Sequence, residues 1–140
     1  MIGSEDIERA LAQLLSENGF LVVPVDVRDG FRKPACSIDV FPCSCTALSW
    51  YVEEDSFTVD ITYYPEHETQ EELIRSAEIL KKTLLYTPLQ IEKRVVDTNR
   101  VEMAREGMEM HIFLEYTLEQ NPHGNEDYAD KMEDLNLEME

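Results

Sequence analysis

The chain has 140 residues, 43% of them hydrophobic, which fits a single domain with an ordinary buried core. Its 30 acidic and 12 basic residues give a formal net charge of −18, which argues against binding nucleic-acid phosphates or anionic membranes. Neither a signal peptide nor a membrane-spanning segment is expected, because no stretch has the required pattern of charged and apolar residues.

The N-terminal segment predicts a helix over residues 5–18. Ser4 is the expected N-cap, and Gly19 has the position of a left-handed C-terminal stop. Apolar residues recur at helical spacing on one face of this segment: Ile7, Ala10, Leu11, Leu14 and Leu15. An edge strand is predicted next, over residues 21–27, because Pro24 lacks the backbone N–H that a central strand needs.

A second strand is predicted over residues 35–41, where Pro42 ends it or bends it. The following stretch, residues 43–56, has two interpretations. In the first, residues 50–52 begin a long third strand and the acidic run 53–55 lies at a bulge or turn. In the second, the whole stretch is a mobile excursion from the domain.

Residues 57–85 carry the clearest pattern, a strand followed by an amphipathic helix. Phe57, Val59, Ile61 and Tyr63 alternate with polar residues and define the inner face of the strand. Pro65 ends the strand, and Thr69 with Glu72 predicts a capping box at the helix start. The helix has one apolar stripe: Leu73, Ala77, Leu80 and Leu84.

Three more strands are predicted over residues 90–96, 100–105 and 108–118, the last two joined by a turn at Glu106-Gly107. The inner face of the last strand is Met110, Ile112, Leu114, Tyr116 and Leu118. The order α-β-β-β-α-β-β-β predicts an α+β fold, in which two helices pack on one face of a mostly antiparallel sheet. This single domain is expected to span residues 1–118.

Residues 119–140 are expected to form an acidic linker and arm, since eight of them are acidic and only Lys131 is basic. Four apolar residues fall at helical spacing within it: Tyr128, Met132, Leu135 and Met139. Two interpretations remain open. The segment is either a disordered acidic tail, or an arm that forms a short helix when it docks on the domain, a neighbouring subunit or a partner.

No catalytic residue, cofactor or metal is predicted, and the chain is not expected to be an enzyme. Cys43 and Cys45 form a C-x-C pair, with Cys36 upstream, which is not the usual spacing of a zinc site. Three cysteines without an export signal suggest free thiols in a reducing cytosol, buried as small side chains at a strand end. No glycine-rich phosphate loop occurs.

Contacts with other proteins are predicted at a few exposed positions. Arg28, Arg32 and Lys33 form a basic cluster, which is either a solvated turn or a contact with an acidic neighbouring subunit. Tyr64 and Phe113 lie on the outer sides of their strands. They are either exposed contacts for a partner or are covered by a second layer that the C-terminal segment forms.

Four segments, in this order and spacing, resemble the phage tail terminator family found in prophages and phage-like elements of Firmicutes. They are DIERALAQL at residues 6–14, GFRKP at 30–34, SFTVDITYYP at 56–65 as the end of a long hairpin, and the pair Met132 and Leu135 in the acidic tail. The resemblance covers nearly the whole chain. The CSC segment and the extreme acidity depart from the family pattern.

The resemblance implies a structural role in the virion. Family members cap the head-proximal end of the tail tube, often as a hexameric ring, which ends tail polymerisation and presents a surface to the head-completion proteins. The implied partners are copies of the chain itself, the tail tube protein and the head-completion or connector protein. The implied locations are the host cytoplasm during assembly and the head–tail junction of the virion. The alternatives are a head–tail adaptor or stopper protein and a small cytosolic protein-binding module.

Overall fold

The computed structural model describes residues 1–25, 30–98 and 100–122. The elements in chain order are α1 (Ser4–Glu17), β1 (Leu21–Val23), β2 (Ala35–Ala47), β3 (Glu53–Tyr64), α2 (Gln70–Tyr86), β4 (Leu89–Ile91), β5 (Arg94–Val96), β6 (Val101–Glu106) and β7 (Glu109–Gln120). Five strands form one sheet in the order β1-β2-β3-β7-β6, and β4 pairs with β5 in a separate hairpin. Only the pairing of β1 with β2 is parallel. The predicted α+β fold is therefore confirmed.

The core lies between the inner face of the sheet and a layer made of both helices and the β4–β5 hairpin. Ile38, Ile61 and Ile112 pair in register across β2, β3 and β7, and all three are buried. The predicted inner faces of β3 and β7 are buried throughout, as strict alternation requires. Within the described residues, no helix is long and apolar enough to cross a membrane.

The helix ends differ in part from the prediction. Gly3, not Ser4, is the N-cap of α1, and its backbone N–H donates to the Asp6 carboxylate at 2.8 Å. Gly19 follows α1 with φ 88°, the left-handed conformation that was predicted for it. At α2 the Thr69 hydroxyl accepts from the Glu72 N–H, but the Glu72 carboxylate accepts from two earlier backbone N–H groups instead of that of Thr69.

The first interpretation of residues 43–56 was right that the third strand is long, but wrong about where the strand begins and where the acidic run lies; the second interpretation was wrong. β2 and β3 form one long hairpin whose pairing continues to Ala47 and Glu53, so the acidic run lies within a strand and residues 48–52 form the tip. A register shift between Pro42 and Ser44 marks a bulge, which lets the strand pass a proline without ending.

The predicted single strand over residues 90–96 was also wrong. Glu92 has φ 57°, which turns the chain back on itself, so Leu89 pairs with Val96 in the β4–β5 hairpin. β1 lies at the sheet edge as predicted, but it ends at Val23 before Pro24. The β6–β7 hairpin forms as predicted, with Gly107 at φ 61° in its turn.

Candidate assembly surfaces

The loop at residues 30–34 carries the two described members of the predicted basic cluster. Phe31 packs edge-on against Tyr64, with ring centroids 4.9 Å apart, and the Lys33 ammonium lies 5.9 Å from the Phe31 ring centroid. Arg32 and Lys33 are both exposed, and no carboxylate among the described residues pairs with either. Arg28, the third member, lies outside the described residues.

The outer face of the sheet, opposite the helices, carries a mixed surface that we call the acidic–aromatic patch and define as Asp39, Phe41, Asp60, Phe113 and Glu115. Adjacent strands bring these side chains together, since Asp39 pairs with Asp60 and Asp60 pairs with Phe113. Phe41 is 66% exposed and Phe113 is 41% exposed. Large apolar side chains at this exposure, beside carboxylates, are typical of protein-binding surfaces.

His111 lies next to the acidic–aromatic patch and is held by polar neighbours on both sides of its ring. Its Nδ1 atom is 3.1 Å from Asp60 and 3.3 Å from the Thr62 hydroxyl, and its ring stacks on Phe113 at 6.1 Å. Nε2 is 3.2 Å from the Glu106 carboxylate, but the atom is buried and makes no aligned hydrogen bond. The contacts at Nδ1 and the stacking on Phe113 fix the orientation of the ring.

Gln120 joins the two ends of the described chain. Its buried side chain accepts from the Ile2 N–H at 2.6 Å and donates to the Ile2 carbonyl at 2.9 Å. The same amide group donates to Asp55 at 2.8 Å. Burial alone would raise the pKa of Asp55, but hydrogen bonds from the Cys45 thiol and the Gln120 amide lower it, so the carboxylate remains charged in the fold.

Cys45, Glu53 and Asp55 are the described residues that come closest to a metal-binding arrangement, with their ligand atoms within 4.8 Å of one another. Hydrogen bonds to Glu53 and Asp55 raise the pKa of the Cys45 thiol to about 12. The thiol is therefore neutral at pH 7, and it would have to lose its proton to bind a metal. Cys43 donates to the Ser56 carbonyl instead, so the C-x-C pair does not act together.

The prediction of buried thiols is correct for Cys36 alone. Cys36 is fully buried, and burial raises the pKa of its thiol to about 12. Cys43 and Cys45 are exposed, as is every residue of β2 from Phe41 to Ala47.

Two of the concave regions on the described surface lie beside the elements discussed above. An open cavity of about 560 Å³ lies on the outer face beside Phe113, lined also by Arg100, Glu102 and Glu115. A narrower groove of about 200 Å³ runs between α2 and β6, lined by apolar side chains that include Ile74 and Met103. The cavity beside Phe113 is lined by charged side chains of both signs, whereas the groove is mostly apolar.

The structure brings only some of the predicted contact residues together. Arg32, Lys33 and Tyr64 belong to one region, because Tyr64 supports the loop through Phe31. Phe113 lies on the same outer face, nearer the middle of the sheet. Four predicted contact residues lie outside the described part of the chain: Tyr128, Met132, Leu135 and Met139.

Asp39 and Phe41 were not predicted as contact residues. Alternation along β2 places both on the outer side, so the signal was present in the sequence. Only the cross-strand register shows that they lie beside Asp60 and Phe113.

Comparisons with known proteins identify one family. The family model described as "Phage tail terminator protein" matches residues 6–128. A solved chain from the "Virion of native gene transfer agent (GTA) particle" is 13% identical, with a TM-score of 0.46, covering 84% of this chain and 90% of that chain. Another solved chain is 11% identical, with a TM-score of 0.48, covering 86% of this chain and 96% of that chain. No curated protein matches.

Proposed function

Because the chain belongs to the phage tail terminator family, we propose that it caps the head-proximal end of the tail tube as a ring, ends tail polymerisation and joins the tail to the head-completion proteins. Family membership makes it a structural protein of the phage tail, where it contacts other virion proteins. The proposal goes further in naming the ring, its position on the tube and its partners. Within this proposal, assembly takes place in the host cytoplasm and no step is catalytic.

The family match over residues 6–128 is the observation that carries the proposal. The described surface is consistent with it, because large exposed apolar side chains and exposed charges lie on one uncovered sheet face. A protein with this function needs at least three contact surfaces: one for the next subunit, one for the tube and one for the head side. A ring of identical subunits provides each of them once per subunit.

We assign the subunit contact to the basic loop and the outer sheet face. Arg32 and Lys33, with Arg28, supply positive charge, while Tyr64 and Phe113 supply aromatic surface on the same face. We assign the remaining predicted contact residues to a partner outside the ring. The predicted arm, residues 119–140, begins with the last two residues of β7 and carries the apolar stripe: Tyr128, Met132, Leu135 and Met139.

Native mass spectrometry over a concentration series, with negative-stain images of the large species, tests the ring. A closed ring, with a mass that is a whole multiple of the 16.2 kDa chain, is the expected result. A tube-capping assay then tests the position: the protein added to polymerising tail tube protein should stop growth at one end. A protein that binds the head connector but never a tube end would instead be an adaptor or stopper.

A further inference from the structure

We infer that the acidic–aromatic patch of one copy binds the Arg32–Lys33 loop of the next copy. This inference rests on the proposed ring and identifies its subunit contact. It also accounts for charged side chains that have no ion-pair partner among the described residues: Asp39 and Glu115 on the sheet, and Arg32 and Lys33 in the loop.

The acidic region is unfavourable in the isolated chain. Asp39 and Asp60 are direct cross-strand partners on one face, and like charges in this arrangement repel each other. Asp60 is contacted by His111, but no described lysine or arginine pairs with Asp39 or Glu115. Positive charge from outside the chain would relieve this repulsion.

The aromatic residues of the patch favour the same kind of ligand. Phe41 and Phe113 expose large parts of their rings between the carboxylates. A guanidinium or ammonium group can lie on an aromatic ring and pair with a neighbouring carboxylate at the same time. The patch therefore suits an arginine or lysine side chain better than an apolar one.

The Arg32–Lys33 loop is the matching part of this chain. Most other described basic residues already have partners: four pair with carboxylates, and Arg94 and Arg105 donate to backbone carbonyls. Arg32 and Lys33 are adjacent and exposed, and the packing of Phe31 on Tyr64 holds the loop in place. A loop that is already ordered loses less entropy on binding.

The contact joins two different surfaces, and in the proposed ring it is a head-to-tail contact. Within one copy, no ion pair links Arg32 or Lys33 to a carboxylate of the patch. Each copy would therefore offer its loop to one neighbour and its patch to the other, which is the arrangement that closes into a ring.

A charge-swap experiment tests this contact. The loop variant is Arg32→Glu with Lys33→Glu, the patch variant is Asp39→Lys with Glu115→Lys, and the third protein carries all four changes. Each variant alone should weaken self-association by about 10- to 100-fold, and the combined protein should recover most of the loss. Matched controls reverse exposed charges elsewhere, Lys82→Glu with Lys93→Glu and Glu8→Lys with Glu68→Lys, and should leave association unchanged.

A salt titration of the wild-type chain gives a readout that needs no variant, since self-association through paired charges should weaken as ionic strength rises.

Unchanged assembly in the loop or the patch variant would overturn the inference. So would a combined protein that does not recover, a two-fold dimer in place of a ring, or a wild-type chain that stays monomeric even with tube ends present. Wild-type protein that fails to cap tubes would instead refute the proposed function.

Discussion

At the scale of single residues, Glu72 connects the end of β3 to the start of α2. Its carboxylate accepts from the backbone N–H groups of Glu66 at 2.8 Å and His67 at 2.7 Å, and from the Tyr63 hydroxyl at 3.2 Å. Burial would raise the pKa of Glu72, but the bonds from Glu66, His67 and Tyr63 outweigh it, and the pKa is lowered. The charged form is therefore the one that stabilises the turn.

We predict that Glu72→Gln lowers the free energy of unfolding by about 1–2 kcal/mol at pH 7, because an amide replaces a charged acceptor of three bonds. Since the folded pKa is lowered, the stabilisation is fully present above the ordinary value of 4.5 and is lost as the pH falls through the folded value. Urea unfolding at pH 7 and at a series of lower pH values measures the difference. Glu71→Gln, which removes only an exposed ion pair with Arg75, is the control. A difference that persists at low pH would contradict the prediction.

Gln120 acts at the same scale but links distant parts of the chain. Replacing it with leucine leaves the Ile2 N–H, the Ile2 carbonyl and the Asp55 carboxylate without their partner. We predict a loss of about 1–3 kcal/mol in the free energy of unfolding and faster hydrogen exchange at the Ile2 amide. Glu119→Leu changes the neighbouring, exposed side chain and should alter stability by less than about 0.5 kcal/mol. Equal effects of the two substitutions would show that the amide bonds contribute nothing.

At the scale of elements, the β4–β5 hairpin depends on a turn that its sequence does not favour. Glu92 has φ 57°. This conformation is unfavourable in free energy for any residue that has a side chain, but costs glycine almost nothing. We predict that Glu92→Gly raises the free energy of unfolding by about 0.5–1 kcal/mol, measured by chemical denaturation. Lys93→Gly is the control, because Lys93 is not among the residues with positive φ, and it should not stabilise the protein. Destabilisation by Glu92→Gly would mean that the carboxylate makes a compensating contact.

The elements that the sequence predicted correctly are those that local patterns determine. Alternation identified the buried faces of β3 and β7, and the helical stripes identified the buried faces of α1 and α2. The resemblance implied a long hairpin, but the residue pattern placed the acidic run 53–55 at a bulge or turn, because such a run normally indicates a turn. Here Asp55 is stabilised within the strand by Gln120, which is 65 residues away in the sequence. No local pattern contains that partner.

The candidate assembly surface was predictable only in part, for the same reason. Arg32, Lys33, Tyr64 and Phe113 could be named from charge and alternation. The patch depends on the register between β2 and β3, which places Asp39 opposite Asp60. The register of a long hairpin that contains a bulge cannot be derived from the sequence. Only the structure therefore shows that Asp39 and Asp60 are neighbours.

At the scale of the whole molecule, the net charge of −18 opposes any assembly of identical copies. Each added subunit brings the same excess of acidic residues, so a ring needs local contacts that exceed this repulsion. The predicted arm contributes much of this negative charge, since the residues after Gln120 include seven acidic residues and one lysine. If this segment lay between copies, its acidic residues would add to their repulsion. We therefore assign it to a contact outside the ring.

We predict that a chain ending at Gln120 keeps its fold and its ability to assemble, but no longer holds a partner outside the ring. The buried core lies within the described residues up to Gln120, so the thermal midpoint should change by less than about 4 °C, equivalent to less than about 1 kcal/mol. Self-association at low salt should be at least as strong as in the full chain, because repulsion between copies falls.

The matched control keeps the full length and all acidic residues but replaces the apolar stripe with serine, at Tyr128, Met132, Leu135 and Met139. If the stripe is the docking element, this variant should assemble like the full chain and lose tail joining as completely as the shortened chain, as measured by the yield of joined particles. If only charge mattered, the serine variant would join tails normally. Weaker ring formation in the shortened chain would instead place the arm between subunits, and our assignment of the arm to an outside partner would be wrong.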